Sequence, residues 1–326
     1  MRPEFVERPW GARDLSPIYP NHHCEKTVGE VWLTGDENRV ANGPLAGRTL
    51  GELCREFGRA LVGESARETE RFPLLIKFLF SREKLSVQVH PDDETARRAG
   101  LPCGKSECWY VVAAEPGAQV ALGLKAGATR EQLARAIQEV RAEELLNWVD
   151  IHAGEMIYVD AGTVHTIGPG AILLETQQNS DTTYRLYDYG RPREIHVEQG
   201  LAATKERTRA GKVNPQGGDD HFKPLVTSPS FMVYKFLGRS PTIWHVDTRG
   251  RVQVGVAIGG CGTLQLEEGE PVSFSVGDAV VVPSSFKRFQ VNPQPQVEFL
   301  TMCVPTGKVA EPVTSFSGSK TTAGES

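Results

Sequence analysis

Residues 84–90 read KLSVQVH, and the alternation within this short segment decides how the chain is interpreted. Successive side chains of a β-strand point to opposite faces, so Ser86, Gln88 and His90 share one face and the apolar side chains share the other. A polar row of this kind fits either a functional site or the solvent side of an edge strand. The segment alone leaves both interpretations open.

The surrounding sequence predicts a series of short strands. Residues 73–125 contain the apolar runs PLLIKFLF, KLSVQVH, ECWYVVAA and AQVALGLK, separated by the turn signals PDD, GK and PG. The chain has 33 Gly and 21 Pro in 326 residues, which suits many turns between strands. A capping box of Thr129 and Gln132, followed by apolar residues at helical spacing, predicts a small helical insertion at about 129–149.

Two related β modules are expected. The segment GCGTLQLEEGEPVSFSVGDAVVVPSS, at 260–285, repeats the rhythm of GEMIYVDAGTVH, at 154–165. His165 follows the turn of the first module, whereas the second has PSSFKRF there and no histidine. We therefore predict a metal-binding catalytic domain at 1–225, a β domain without metal ligands at 226–305 and a disordered tail at 306–326.

Composition and charge exclude several classes of protein. The formal net charge of -5 offers no basic surface for nucleic acid or anionic membranes. The N-terminal residues carry charges where a signal peptide needs an apolar region, and the most apolar run is short and contains Lys77, so a cytoplasmic protein is expected. The six cysteines lack a CxxC pair and are expected to be free thiols, with a metal shared by Cys103 and Cys108 as the alternative.

Further ionisable residues point to chemistry. Strand parity in GKSECWY aligns Lys105 with Glu107, and a tight turn precedes His165. Taken singly, Lys105 could be a surface residue and His165 a structural histidine. Together, Gln88, His90, Glu107 and His165 offer two imidazole nitrogens and two oxygens, a set suited to Zn²⁺ with open coordination positions.

Four segments carry a resemblance to a known family. LSVQVHPDDETA, GKSECWY, DAGTVHTIGPGAILLETQQNSDTTYRLYDYGR and VANGPLAGRTLGEL resemble signature segments of class I mannose-6-phosphate isomerases, in the short bacterial form. The resemblance covers the first two-thirds of the chain. It implies a bicupin fold, with two β-barrel or jelly-roll modules, and one zinc ion per chain. It also implies interconversion of mannose 6-phosphate and fructose 6-phosphate by proton transfer through an enediol.

The family pattern also implies residue roles. The zinc ligands would be Gln88, His90, Glu107 and His165. The catalytic residues would be Arg185, Lys105 and Asp181, with Lys105 a proton-transfer or phosphate-side group and Asp181 linked to ring opening. We predict Ser86, Lys105 and Arg185 as substrate-binding. Strand parity places Asp181 and Arg185 on one face. One departure matters, because Gly104 stands where the long form has a histidine, so a ring-opening role for that histidine is not carried over. Trp10-Gly11-Ala12 replaces the usual WGG.

Two other functions remain open at this stage. Two histidines and a carboxylate also describe the site of non-haem iron oxygenases, although Gln88 occupies a position that those enzymes keep open. A sugar-binding bicupin without turnover is the second alternative. Lys105 and Arg185 beside the metal favour catalysis, and the sequence does not indicate an oligomeric state.

Overall fold

A computed structural model describes residues 1–64, 66–267, 269–305 and, for the backbone, 316–320. Two sheets form the N-terminal part of the chain. The seven-stranded sheet has the order β1 (Glu4–Ala12), β2 (Val28–Thr34), β3 (Leu74–Ser81), β10 (Ala171–Gln178), β5 (Glu107–Ala114), β8 (Met156–Val159) and β12 (Gly211–Lys212). The five-stranded sheet has the order β11 (Tyr184–Tyr187), β4 (Val87–Val89), β9 (His165–Ile167), β6 (Gln119–Leu124) and β7 (Leu146–Asp150).

The C-terminal part contributes an eight-stranded sheet. Its main path is β13 (Phe222–Thr227), β14 (Met232–Arg239), β19 (Arg288–Cys303), β15 (Thr242–Asp247) and β20 (Phe316–Lys320). The long strand β16 (Gln253–Leu266) pairs with β17 (Val272–Ser275), β18 (Ala279–Val282) and β19. The helices are α1 (Leu50–Phe57), α2 (Arg59–Val62), α3 (Asp93–Arg98), α4 (Arg130–Gln138), α5 (Val197–Ala203) and a 3₁₀ helix at Ala142–Leu145.

The apolar run of β3 is explained by burial on both faces. All eight residues of β3 are buried; the side chains of one face belong to one apolar core, whereas Leu79 of the other face belongs to a second core. Phe78 packs with residues of the C-terminal sheet, whereas Leu79 packs in the core between the two N-terminal sheets, with Trp109 of one and Ile167 of the other. The two N-terminal sheets thus form a sandwich, consistent with a cupin-like jelly roll, and the predicted mainly β fold is confirmed.

The helical insertion is shorter than predicted. Thr129 and Gln132 form both hydrogen bonds of the capping box, but α4 ends at Gln138. Val140 follows with φ +59° and a 63% exposed side chain, a left-handed conformation that ends a helix. The prediction that Leu146 and Val149 continue the helix is wrong, because both lie in β7, which pairs with β6.

The structure bears on two parts of the predicted domain division, the boundary at 225 and the C-terminal tail. The third sheet begins at Phe222, inside the predicted first domain, so the boundary at 225 remains a proposal. Most of the predicted tail lies outside the described residues. The described stretch Phe316–Lys320 departs from the prediction, because its backbone pairs with β15. A ladder of main-chain hydrogen bonds does not require apolar side chains. Among the described residues, no helix has the length and hydropathy needed to cross a membrane.

Candidate metal centre

Three buried side chains converge between the two N-terminal sheets. His90 follows β4, Glu107 begins β5 and His165 begins β9, and each is only 1% exposed. One donor atom from each lies within 4.8 Å of the others. His165 Nε2 is 3.2 Å from Glu107 Oε1, and His90 Nε2 is 3.5 Å from Glu107 Oε2. The two sheets therefore bring together three potential metal ligands that are distant in sequence.

The Nδ1 hydrogen bonds of both histidines orient their Nε2 atoms towards this cluster. His90 Nδ1 lies 2.8 Å from Thr182 O, and His165 Nδ1 lies 2.9 Å from Thr163 O. A carbonyl oxygen only accepts, so each Nδ1 donates its hydrogen and each Nε2 keeps a lone pair. Metal-binding histidines are commonly fixed by such a bond on the other ring nitrogen.

Burial keeps both imidazoles neutral. It lowers the pKa of His165 to about 4 and the pKa of His90 well below its usual value, with the positive charge of Lys105 adding to the effect on both. A neutral imidazole is the form that binds a metal. The cluster thus satisfies the protonation requirement as well as the geometric one.

Gln88 completes the predicted set of four. It lies directly opposite His165 in the β4–β9 pair, and its Nε2 is 3.2 Å from His165 Nε2. Ser86 donates a hydrogen bond to Gln88 Oε1 at 3.0 Å. The oxygen and nitrogen of an amide are assigned from hydrogen bonds, and a half-turn of this group would direct its oxygen to the cluster. The four side chains fit a divalent metal in donor type and placement.

Lys105 lies against the same cluster and is buried. Its Nζ is 2.8 Å from Glu107 Oε2, 3.1 Å from His90 Nε2 and 3.4 Å from Glu175 Oε1. Burial opposes the charge of Lys105, but Glu107 and Glu175 outweigh it and raise its pKa, so the side chain is an ammonium. The predicted alignment of Lys105 with Glu107 agrees with this geometry.

A row of buried charges, which the sequence analysis missed, extends from this cluster across the seven-stranded sheet. Glu175 and Lys77 are cross-strand partners with Nζ and Oε2 3.6 Å apart, and Lys77 Nζ lies 3.5 Å from Glu30 Oε2. Burial raises the pKa of Glu175 to about 7. The available signal was a single ionisable residue within an apolar strand, in LLIKFLFS and in AILLETQQ.

A pocket lies over this cluster, and the predicted catalytic and substrate-binding residues line it. Its lining includes Ser86, Gln88, Lys105, Asp181 and Arg185. Arg185 lies opposite Gln88 in the β11–β4 pair. The strand-parity argument for Asp181 was wrong, because β11 begins only at Tyr184. Asp181 and Arg185 nevertheless line the same pocket.

The guanidinium of Arg185 lacks an ion pair and a hydrogen bond within the described part of the chain, and its Nε is buried. Burial lowers the pKa of Arg185, with Arg193 contributing in the same direction. A half-buried cation without a carboxylate in ion-pair contact is energetically unfavourable. Arg185 is therefore available to a negatively charged ligand.

Two further sequence hypotheses concern other positions. Cys103 and Cys108 are free thiols, and the metal-ligand group found among the described residues does not include them. Ser284, at the turn of the second module that matches His165, donates hydrogen bonds to the carbonyl oxygens of Arg59 and Ala60. Its role there is to attach the C-terminal sheet to α2.

The fold and the site together define a cupin-type β protein with a candidate metal centre at the base of a charged pocket. Residues 7–119 match the family model for the catalytic domain of phosphomannose isomerase type I. A mannose-6-phosphate isomerase of Streptococcus mutans is 35% identical over 305 residues, which span 89% of this chain and 93% of the relative. Mannose-6-phosphate isomerase ManA of Bacillus subtilis is 42% identical over 212 residues, 62% of this chain and 66% of the relative.

The structural comparison agrees. The crystal structure of the mannose 6-phosphate isomerase from Bacillus subtilis matches with a TM-score of 0.82 and 31% identity, covering 92% of this chain and 98% of that one. The chain belongs to the type I phosphomannose isomerase family and is an isomerase of that type. Family membership therefore favours the isomerase over the two alternative functions, a non-haem iron oxygenase and a sugar-binding bicupin without turnover.

Proposed function

We propose that the chain interconverts mannose 6-phosphate and fructose 6-phosphate with the help of one zinc ion, by proton transfer through an enediol. The observation that carries this proposal is the convergence of His90 Nε2, Glu107 and His165 Nε2 beneath a pocket that contains the unpaired Arg185. Two imidazoles, a carboxylate and the amide of Gln88 form a donor set typical of zinc.

Gln88, His90, Glu107 and His165 would hold the metal, and the Nδ1 hydrogen bonds of both histidines would keep the rings in place. When bound, the ion would supply Lewis-acid stabilisation of the negative charge that develops on the sugar oxygens. The protein side chains provide the rest of the chemistry.

Arg185 is proposed to stabilise the developing negative charge. Isomerisation moves a proton between C2 and C1, and the adjacent oxygens become negative as the enediol forms. A guanidinium stays protonated and offers several fixed donors, so its interaction strengthens as that charge grows. Its position opposite Gln88 puts it beside the proposed metal ligands.

Lys105 is proposed as a proton-transfer residue and Asp181 as the acid that assists ring opening. Lys105 is charged while it pairs with Glu107 and Glu175. Its pKa would fall once Glu107 is engaged as a ligand, which is the direction that a proton-transfer lysine requires. Asp181 lines the pocket and lies outside the buried cluster, where a cyclic sugar would first bind.

The proposal is tested by metal analysis coupled to an isomerase assay on one purified sample, for the wild type, His165→Ala and Ser284→Ala. We expect about one zinc per wild-type chain, loss of metal and activity in His165→Ala, and little change in Ser284→Ala, because losing one ligand of a catalytic zinc opens its coordination shell. Wild-type protein without metal, or chelated protein with full activity, would contradict metal dependence. Equal losses in both variants would mean that the site has been assigned to the wrong module.

A further inference from the structure

The pocket gathers guanidinium groups from three separate segments of the chain. Arg8 lies on β1, Arg185 on β11 and Arg193 in the segment that follows β11, and all three line the same pocket. Arg193 and Arg8 are close enough to add to burial in lowering the pKa of Arg185. Like charges held together in this way repel one another, so their convergence indicates an anionic ligand or a compensating set of carboxylates.

Arg8 and Arg193 are each bound along one edge of the guanidinium by a carboxylate. Glu30 accepts from Arg8 Nε and Nη2 at 3.0 and 3.1 Å, and Asp188 accepts from Arg193 Nε and Nη2 at 2.7 and 2.6 Å. Both carboxyl groups are buried. A two-point bond of this kind fixes the plane of a guanidinium. It occupies two of the five N–H donors and leaves the rest for another partner.

The remaining donors differ between the two residues. Arg8 Nη1 also donates to the carbonyl oxygen of Glu7 at 3.2 Å. Arg193 Nη1 has no hydrogen bond to any residue that the structure describes. Each side chain therefore presents a fixed but incompletely used fork of donors to the pocket, which suits a ligand with several acceptor oxygens.

The three arginines occupy different positions around the pocket. The side chains of Arg8 and Arg193 remain 28% and 21% exposed, whereas Arg185 Nε is buried and its residue lies opposite Gln88. A hexose 6-phosphate carries its phosphate at the opposite end of the carbon chain from C1 and C2. With the reacting carbons at the candidate metal centre, beside Arg185, the phosphate falls towards Arg8 and Arg193.

We propose that Arg8 and Arg193 bind the phosphate group of the substrate, with Glu30 and Asp188 as positioning residues that hold the two guanidinium planes. A phosphate monoester has up to two negative charges and three strong acceptor oxygens, and arginine forks match such a group at two points. Arg185 then serves the reacting end of the sugar. This inference rests on the proposed function, because it assumes that a sugar phosphate occupies the pocket.

Arg191 provides a matched control. Its Nη1 lies 3.3 Å from the same Asp188 carboxylate, but its Nη2 binds Glu83 at 2.9 Å, and the residue does not line the pocket. Arg191→Gln thus removes a partner of Asp188 without removing a donor from the pocket. Arg8→Gln and Arg193→Gln remove a donor fork each.

The test compares steady-state kinetics with mannose 6-phosphate, and the inhibition constant of inorganic phosphate, in the metal-loaded wild type and these three variants. We expect Arg8→Gln and Arg193→Gln each to raise KM and the phosphate inhibition constant about tenfold or more, since a charge-assisted hydrogen bond to phosphate is lost. We expect kcat to change less than about threefold, because the phosphate does not react. Arg191→Gln should change all three values less than about twofold, since Arg191 does not line the pocket and contributes no donor to a ligand there.

Several outcomes would overturn the inference. A fall in kcat at unchanged KM in Arg193→Gln would place Arg193 in the chemistry, and equal effects in Arg191→Gln would mean that the loss acts through Asp188. Wild-type enzyme that inorganic phosphate does not inhibit competitively would also contradict it. If a glutamine variant does not fold, Arg8→Lys or Arg193→Lys carries the test, because lysine keeps the charge but not the fork, and an unchanged inhibition constant then refutes the proposal. Loss of metal dependence in the wild type would instead refute the proposed function.

Discussion

At the residue scale, the absence of an ion pair at Arg185 within the described residues supports the catalytic role proposed for it. Most charged side chains near the pocket have partners, as Arg8 has Glu30 and Arg193 has Asp188. Arg185 has none among the described residues, and its Nε is buried. A half-buried cation without an ion pair is unfavourable, and under the proposed mechanism it would gain a partner as negative charge develops on the substrate.

Replacing Arg185 should therefore affect turnover more than binding. We expect Arg185→Ala to lower kcat about a hundredfold or more, with a smaller effect on KM, and Arg185→Lys to recover part of the loss. The measurements are steady-state kinetics and metal content, and metal content should stay unchanged because Arg185 is not among the proposed ligands. A raised KM at near-normal kcat would make Arg185 a phosphate-binding residue instead.

The paired strands β3 and β10 show at the element scale why part of the site escaped sequence analysis. Strand parity within one short segment identified Gln88 and His90, and a second such segment identified Glu107, because these relations are local. Lys77 and Glu175 are almost 100 residues apart, and only the register of β3 against β10 makes them partners. Sequence periodicity carries no information about that register.

The same limit applies to the helical insertion. The spacing of Leu146 and Val149 fits a helix as well as a strand. They form a strand because β7 pairs with β6. The capping box of Thr129, in contrast, is a local interaction and was predicted correctly. Local hydrogen bonds and parity could be predicted from the sequence, whereas pairing between distant strands could not.

The cross-strand pair of Lys77 and Glu175 also gives a stability prediction. Lys77 is 3% exposed and lies between the carboxylates of Glu30 and Glu175, at 3.5 and 3.6 Å. Lys77→Met should destabilise the protein by about 3–5 kcal/mol, because it leaves buried carboxylates without their cation. The double variant Lys77→Met/Glu175→Gln should lose less than the sum of the two single variants. Denaturant unfolding at neutral pH measures this, and additive losses would show that the two groups are not coupled.

At the scale of the whole molecule, the seven-stranded sheet and the C-terminal sheet share one core. Phe72 and Phe78 from the first part pack in the same cluster as Phe231, Val254 and Met302 from the second. All five side chains are buried. Separating the two parts would expose this cluster to water, at about 25 cal/mol for each Å² of apolar surface. The second part, although it lacks ligands at Ser284, therefore supports the sheet from which Glu107 projects.

This shared core predicts that the described parts unfold together. Calorimetry should show one cooperative transition for the full chain, and metal removal should lower its midpoint by roughly 5–10 °C, because a ligand that binds only the folded state stabilises the whole cooperative unit. His165→Ala is the control, since its midpoint should not respond to added zinc. Two transitions, of which only one moved with metal, would show that the C-terminal sheet folds independently. The candidate metal centre would then gain no stability from the core that the two parts share, and the second module would need another explanation.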